Sequence, residues 1–408
     1  MDKLLKSIIV LFLFYNVKYV FLFGVGTSYV LLFCFLLMFF LGRKVKFRKT
    51  EIGLVLLSLI VFSLSLTNSL VEMAYEIAYL KMYVIIVVCY LVAPVIYKFL
   101  AEGNPGRCLE LFGYAAFLNS LFILAMFFIP SIKELYLNAV ILELAELHGD
   151  SVFDSLMTLR MVGVTGFSGY STAFTQMLCL ISYYIYIIHF RESSILLKKD
   201  YAIFTFIIIS SLIVSRSTIV GVFFLFLLSI FDRRNIGKNI LYFSVVSLLF
   251  IGLIFSSSFF LSEKEYDFFS RWATEFFNSG LETGSLSENI NMYKYSIYDF
   301  SFLGDARVRD ESGGYYMHTD VGYFRLLFSF GFFGAFMLVG LIFLTLLFNS
   351  FRFGGLIYSL MIMLYISIFM AKGYVLQDAL YIFIFFFIFS SEFRSKDYKL
   401  KEQLRYRV

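Results

Sequence analysis

Residues 201–231 read YAIFTFIIISSLIVSRSTIVGVFFLFLLSIF, two apolar runs without a charged residue, divided at Ser215-Arg216-Ser217. Nothing in either run suits water, so the pair reads as two membrane-embedded helices joined by a turn that carries one arginine. The rest of the chain repeats the pattern. Of its 408 residues 60% are apolar and 15% charged, against about 45–50% and about 25% in soluble domains. At about 20 residues per helix this apolar content supplies about twelve spans and leaves little for a soluble core. Disorder, a coiled coil, a nucleic-acid-binding domain and a disulfide-stapled secreted module are excluded by the same arithmetic. The net charge of +5 therefore concerns topology.

The hydropathy pattern predicts an all-α polytopic membrane protein, one integral domain over residues 1–408. Its spans are expected near 4–23, 26–42, 51–68, 77–97, 109–129, 171–190, 201–215, 217–231, 240–260, 321–349, 355–371 and 374–390. Lys3 and Lys6 precede an apolar run with no small-residue cleavage site, so the first span is expected to stay in the chain. Lys3 and Lys6, alternate connectors and the tail after Ser390 together hold 22 of the 34 Lys and Arg residues. The positive-inside rule then places both termini in the cytoplasm. Two long connectors, 130–170 and 261–320, fall on the opposite side with most of the acidic residues, so the working part is expected to face the periplasm or exterior. Ile132 to Leu147 and Tyr266 to Phe277 mix aromatic or aliphatic residues with charges, as helices resting on a membrane surface do.

Charged residues at membrane depth or on outer loops are the first functional candidates. Arg160 opens RMVGVTGFSGYSTAF, Arg216 sits between two spans, Arg271 precedes Trp272, and Arg325 lies one turn inside the tenth span. A guanidinium stays charged and grips phosphate oxygens in a fork, so these four point to an anionic ligand at the outer membrane surface. Gly163, Gly166 and Gly169 follow Arg160 and would let backbone N–H groups approach an anion; an ordinary loop with one arginine reaching for headgroups has the same spacing.

Residues 302–334, FLGDARVRDESGGYYMHTDVGYFRLLFSFGFFG, carry the densest polar load. His318 and Asp320 stand at the mouth of the tenth span, where either could take a proton from a sugar hydroxyl. Asp320 could equally cap the helix. Asp299, Asp305 and Asp310 lack the spacing of a calcium loop, and neither the three histidines nor Cys34, Cys89, Cys108 and Cys179 cluster as metal ligands do, so no metal or other cofactor is expected. Glu72 and Glu76 share a helix face near Lys81, and Lys372, Gln377 and Asp378 occupy the last outer turn.

The order of these features resembles a family. Arg160-x-x-Gly163 before a span, Ser215-Arg216, a large outer loop containing Arg271-Trp272, the Leu303-Gly304-Asp305 turn, and Thr319-Asp320-x-Gly322-Tyr323 running to Gly331-x-x-Gly334 look like the Wzy-type O-antigen or capsular polysaccharide polymerases, relatives of the O-antigen ligases. The motifs cover about residues 155–335 and the rest resembles the family by span pattern only. The resemblance implies a GT-C-like fold in the bacterial inner membrane. It also implies an inverting glycosyl transfer that moves a growing glycan from undecaprenyl diphosphate onto a new lipid-linked repeat unit, with undecaprenyl diphosphate as leaving group and a chain-length regulator as a partner. Arg160, Arg216, Arg271 and Arg325 would hold the diphosphate, and His318 or Asp320 the attacking hydroxyl. Where the ligases place a histidine, eleven residues before Gly331, this chain has Asp320, which favours polymerase over ligase. A flippase or other transporter of lipid-linked sugars is the alternative of a different class.

Overall fold

The computed structural model describes residues 3–41, 77–102, 104–141, 163–165, 169–191, 196–231, 236–263, 290–310, 314–353 and 356–376, with parts of 56–73 and 266–274. Among these residues the chain is helical, joined by turns and isolated bridges, with no strand. The helices are α1 (Lys3–Phe14), α2 (Thr27–Phe40), α3 (Ile77–Ala101), α4 (Pro105–Phe128), α5 (Pro130–Leu137), α6 (Gly169–His189), α7 (Lys198–Val214), α8 (Thr218–Phe231), α9 (Ile236–Ser256), α10 (Gly322–Phe353) and α11 (Leu356–Lys372). Among the described residues four stretches, Gly106–Phe128, Gly169–His189, Gly237–Phe259 and Gly322–Leu344, are long and apolar enough to cross a membrane. Among the described residues the protein is all-α and has the apolar helices of a membrane-embedded chain.

Two expected elements end early. The span expected over 4–23 is α-helical only to Phe14, with a single 3-10 turn at Val20–Leu22. Polar side chains then turn the chain: Thr27 Oγ1 accepts from the Val17 N–H at 2.9 Å and donates to Phe12 O at 3.0 Å, while Asn16 Oδ1 accepts from the Ser28 N–H at 3.2 Å. The surface helix expected over Ile132–Leu147 stops at Leu137. Beyond it Ile141 N–H donates to Lys18 O at 2.8 Å and Val20 N–H to Ala139 O at 3.0 Å, so both truncated ends satisfy each other in one extended pairing.

The chain divides into two compact units, Met1–Leu31 with Leu109–Leu286, and Leu32–Cys108 with Ser287–Val408. In the first unit α6 is the central helix, packed against α7 and α8. Its buried positions include Thr172, Thr175, Gln176 and Ser182. Polar and apolar side chains of this helix are alike enclosed by its neighbours, so its polar groups find protein partners rather than lipid. Small residues set the spacing: a Cβ on Gly113 would lie 2.5 Å from the Tyr183 side chain, and one on Gly221 2.7 Å from Met177. The Arg191 end of α6 is fastened to α7 by fully buried Asp200, which accepts from Arg191 at 2.7 Å, Tyr183 Oη at 2.8 Å and the Leu197 N–H at 2.7 Å.

In the second unit α10 and α11 form a hairpin, stitched by Tyr323 Oη to Ser367 O at 2.8 Å and Ser359 Oγ to Leu346 O at 3.0 Å. The helix α10 is interrupted at Gly331, with φ 63° and ψ −175°. The turn Leu303-Gly304-Asp305 fills the interruption. Asp305 N–H donates to Phe328 O at 2.6 Å, Phe333 N–H to Phe302 O at 3.1 Å, and Ser329 Oγ to Arg307 O at 2.8 Å. Backbone groups released by the break are thereby paired again, as they must be within a membrane. Phe300 lies across the seam, its ring 4.7 Å from Phe328 and 5.4 Å from Phe324.

This crossing admits no side chain. A Cβ on Gly331 would stand 2.3 Å from Phe302 O, and its backbone conformation is open essentially to glycine alone. Gly331→Ala is expected to destabilise the fold by more than about 1–3 kcal/mol, the strain term on its own. Gly340→Ala, on the same helix with open space around its Cβ, should stabilise it by about 0.5–1 kcal/mol. Thermal unfolding of both purified variants in one detergent compares them; equal midpoints would mean that the interruption is not a fixed feature.

Candidate functional site

The polar segment 302–334 folds into one place within the second unit. Tyr316 N–H donates to Val308 O at 3.2 Å and Asp310 N–H to Gly314 O at 3.1 Å, so residues 308–310 pair with 314–316 beside the start of α10. Adjacent tyrosines on its returning limb turn to different partners. Tyr315 packs on Arg325, whose guanidinium carbon is 4.1 Å from the ring centroid, and Tyr374 closes on the same guanidinium at 5.1 Å. Tyr316 hydrogen-bonds the Asp305 carboxylate.

Asp320 completes the first of these groups. Its Oδ1 is 3.5 Å from Arg325 Nη1, a long ion pair, and Lys372 adds a second positive field. The Asp320 side chain is 46% exposed, whereas Arg325 is 16% exposed. An accessible carboxylate therefore stands beside a cation held by two aromatic faces, an attraction of about 0.5–2 kcal/mol per ring. Just ahead of the helix, buried Thr319 accepts the Val321 N–H on its hydroxyl at 3.3 Å. His318 is highly exposed, with Nδ1 3.7 Å from Asp310 Oδ2. It and Met317 both adopt positive φ, 52° and 56°, a strained pairing for residues with side chains. Tyr295 Oη secures this turn through Met317 O.

Asp305 lies beside the helix interruption. Burial raises its carboxyl above the ordinary value, Tyr316 pulls it down, and Glu72 pushes it up. Asn68, buried in a helical turn, donates to Leu303 O at 3.1 Å and Gly304 O at 2.8 Å and so fixes the turn that carries Asp305. Asp299 and Asp310 are engaged elsewhere, in turns at Ser296 and Gly314. Glu76, Gln377 and Asp378 lie outside the described residues, as does the side chain of Lys81.

The other arginines belong to the first unit. Arg160 and Trp272 lie outside the described residues. The turn that follows Arg160 is tied down: Asn119 Oδ1 accepts the Val164 N–H at 3.0 Å, Tyr136 Oη donates to Val164 O, and Gly163 takes φ 59° against Asn119. Gly169, at the start of α6, meets the end of α7, where a Cβ would be 3.2 Å from Val214 O. Two residues on comes the Arg216 turn, braced by Ser215 Oγ to Ser217 Oγ at 2.6 Å and Thr218 Oγ1 to Ser211 O at 2.7 Å. The structure thus brings the glycine-bearing turn and Arg216 to one end of this unit's bundle. Arg271 is exposed, its Nε donating to Asp267 O at 3.1 Å.

Sequence reasoning passed over Asn68, Asn119, Tyr315, Tyr316 and Tyr374. The two asparagines had a usable signal, since each interrupts an apolar run, TNSLVEM and FLNSLFI, as the arginines do.

Burial raises the Asp320 carboxyl above the ordinary value, with Arg325 opposing. A carboxyl that holds its proton more tightly in the folded than in the unfolded chain contributes stability that is full at acid pH and lost as pH rises through the folded value. Asp320→Asn keeps the neutral shape, so it is expected to unfold at a higher temperature than wild type near neutral pH. The gap should close as pH falls below about 4. Thermal unfolding across that range measures it; a variant less stable than wild type at neutral pH would mean that the Arg325 pair outweighs burial. No protein-family model, no curated protein and no solved structure matches the chain.

Proposed function

We propose that the protein is a Wzy-type polysaccharide polymerase, a membrane glycosyltransferase that joins undecaprenyl-diphosphate-linked repeat units into O-antigen or capsular polysaccharide. In this reading the chain spans the bacterial inner membrane about twelve times, both termini are cytoplasmic, the site faces the periplasm, and a chain-length regulator is a partner. The observation that supports it best is the accessible Asp320 carboxylate beside aromatic-held Arg325 at the start of a membrane-length helix. An acid–base group and a fixed cation, side by side, suit transfer from a diphosphate donor.

The acceptor hydroxyl oxygen attacks the anomeric carbon of the donor. The bond from that carbon to the diphosphate breaks, and its electron pair leaves with the diphosphate oxygen. Asp320 takes the hydroxyl proton, with exposed His318 the other acceptor in reach of solvent. Arg325, held beside Asp320, bears on the negative charge that develops on the leaving group, an effect that needs only preorganised cations; the diphosphate-binding role of Arg160, Arg216 and Arg271 rests on the sequence resemblance. The Arg216 turn is braced on both sides by serine and threonine hydroxyls, which limits reorganisation during transfer.

The interruption of α10 favours a second reading, since broken spanning helices also build the substrate sites of transporters. Cells lacking their own gene, complemented with this one, separate the readings. Wild type is expected to restore long polymer. Arg216→Ala and Asp320→Asn, at equal membrane levels, should leave mostly single repeat units, each slowed by about 10²–10³-fold. Repeat units retained on the cytoplasmic leaflet of the deletion strain would instead indicate a transporter, and long but unattached polymer a ligase. Normal polymer from both variants would remove these residues from the mechanism.

A further inference from the structure

Residues 15–26 form a finger between α1 and α2. At its base Lys18 bridges Gly26 in antiparallel pairing, and the Thr27 N–H donates to Val17 O at 2.9 Å. The tip, Tyr19-Val20-Phe21-Leu22-Phe23-Gly24-Val25, holds no charged residue. It is tightened by the Phe23 N–H to Val20 O at 3.0 Å, the Gly24 N–H to Tyr19 O at 3.4 Å and the Val25 N–H to Leu22 O at 3.0 Å.

A turn that faces water is normally built from glycine, proline or small polar residues. This one shows the reverse. Phe23 is 95% exposed and Phe21 71%, with Val20 and Val25 about half exposed. Phe23 also takes φ 53° and ψ 33°, the left-handed region, which is unfavourable for a bulky side chain and suits glycine or asparagine. Backbone strain and a bare aromatic ring thus coincide at one residue. In water nothing offsets either cost, whereas transfer of the ring into hydrocarbon opposes both.

The position of the tip identifies what receives it. Lys3 Nζ, 2.6 Å from Glu110 Oε1, lies near the first turns of α4, a helix long enough to cross a membrane. The finger is fastened at the other end. There α5 follows α4 after Ile129 and brings Tyr136 to 4.8 Å from Phe122 and 6.3 Å from Tyr19, while the Val20 N–H reaches Ala139 O. Phe122 is about 9 Å from the Phe128 end of α4 at 1.5 Å per residue. The tip is therefore tied to the last turns of a membrane-length helix, where hydrocarbon gives way to headgroups. Tyr19 and Tyr136 are residues of the kind enriched at that level. A tip of seven residues is too small for a stable protein interface, which takes about 20–30 residues a side.

We propose that residues 19–25 are a membrane anchor, with the Phe21 and Phe23 rings inserted into lipid on the membrane face reached by the Phe128 end of α4. Its partner is the bilayer itself, at about 5–10 Å depth. The inference rests on the membrane-length helices and not on the polymerase reading.

Tryptophan fluorescence of the full-length protein in phosphatidylcholine vesicles tests it. Trp272, the sole tryptophan of the chain, is first replaced by phenylalanine, and Phe23→Trp is made in that background. Its emission is expected to be shifted to the blue of tryptophan in water. Lipids brominated near the headgroup should quench it more strongly than lipids brominated at the chain ends, and iodide in the buffer should quench it weakly. Phe21→Trp, on the same turn but outside the left-handed position, should behave alike and so keeps the test open if the first variant does not fold. Strong iodide quenching without an effect of brominated lipid would leave the tip in water and overturn the proposal. Insensitivity to both quenchers would put the tip against protein, a second copy of this chain included, and would overturn it equally.

Discussion

Two glycine backbones in contact, Gly304 against Gly331, hold the second unit in its observed form. An added Cβ on Gly304 would fall 2.4 Å from Gly331 N. A helix cannot break within a stretch of membrane length unless the released amides and carbonyls find partners. Residues 301–307 supply those partners only because neither glycine has a side chain to keep the strands of backbone apart. Asn68 then clamps the inserted turn through two carbonyls. With that crossing set, the pairing of 308–310 with 314–316 starts from a fixed base, and Tyr315 and Tyr316 reach Arg325 and Asp305 respectively.

The first unit solves a different problem by the same rule. Its central helix α6 is the least apolar of the membrane-length helices among the described residues, and it buries its polar residues along with its apolar ones. Gln176 Nε2 donates to Ser120 Oγ at 2.9 Å, joining α6 to α4, and Asp200 gathers a tyrosine, an arginine and a backbone amide. Breaking a buried pair of this kind strands a charge, at about 3–5 kcal/mol, so such contacts specify how helices of interchangeable greasy exteriors align. The turns at Gly163 and Arg216 inherit their geometry from that alignment, through Asn119 and Ser211.

The candidate site was legible in its parts. Charge at the mouth of a span singled out Asp320 and Arg325, and the loaded segment 302–334 folds as one place. Its wiring was not legible. Nothing local pairs Asn68 with Gly304, more than two hundred residues later, and no spacing announces that two tyrosines from separate segments, 315 and 374, enclose one arginine. The helix interruption was hidden for a related reason: FSFGFFG has a single polar residue, Ser329, so hydropathy continues across Gly331 while the hydrogen-bond ladder does not.

The sequence by itself determined that this chain is helical and lipid-facing, because transfer of apolar side chains out of water is additive and needs no knowledge of partners. It determined most helix positions for the same reason. Where a helix stops inside an apolar run was decided by tertiary structure alone, as at Phe14, Leu137 and Gly331. Termination there depends on hydrogen bonds from distant residues, and a backbone group that finds a partner elsewhere can leave its helix at little cost. The ordering of charges into a held cation and an exposed carboxylate is likewise a product of the fold, since it requires aromatic faces that only packing brings together.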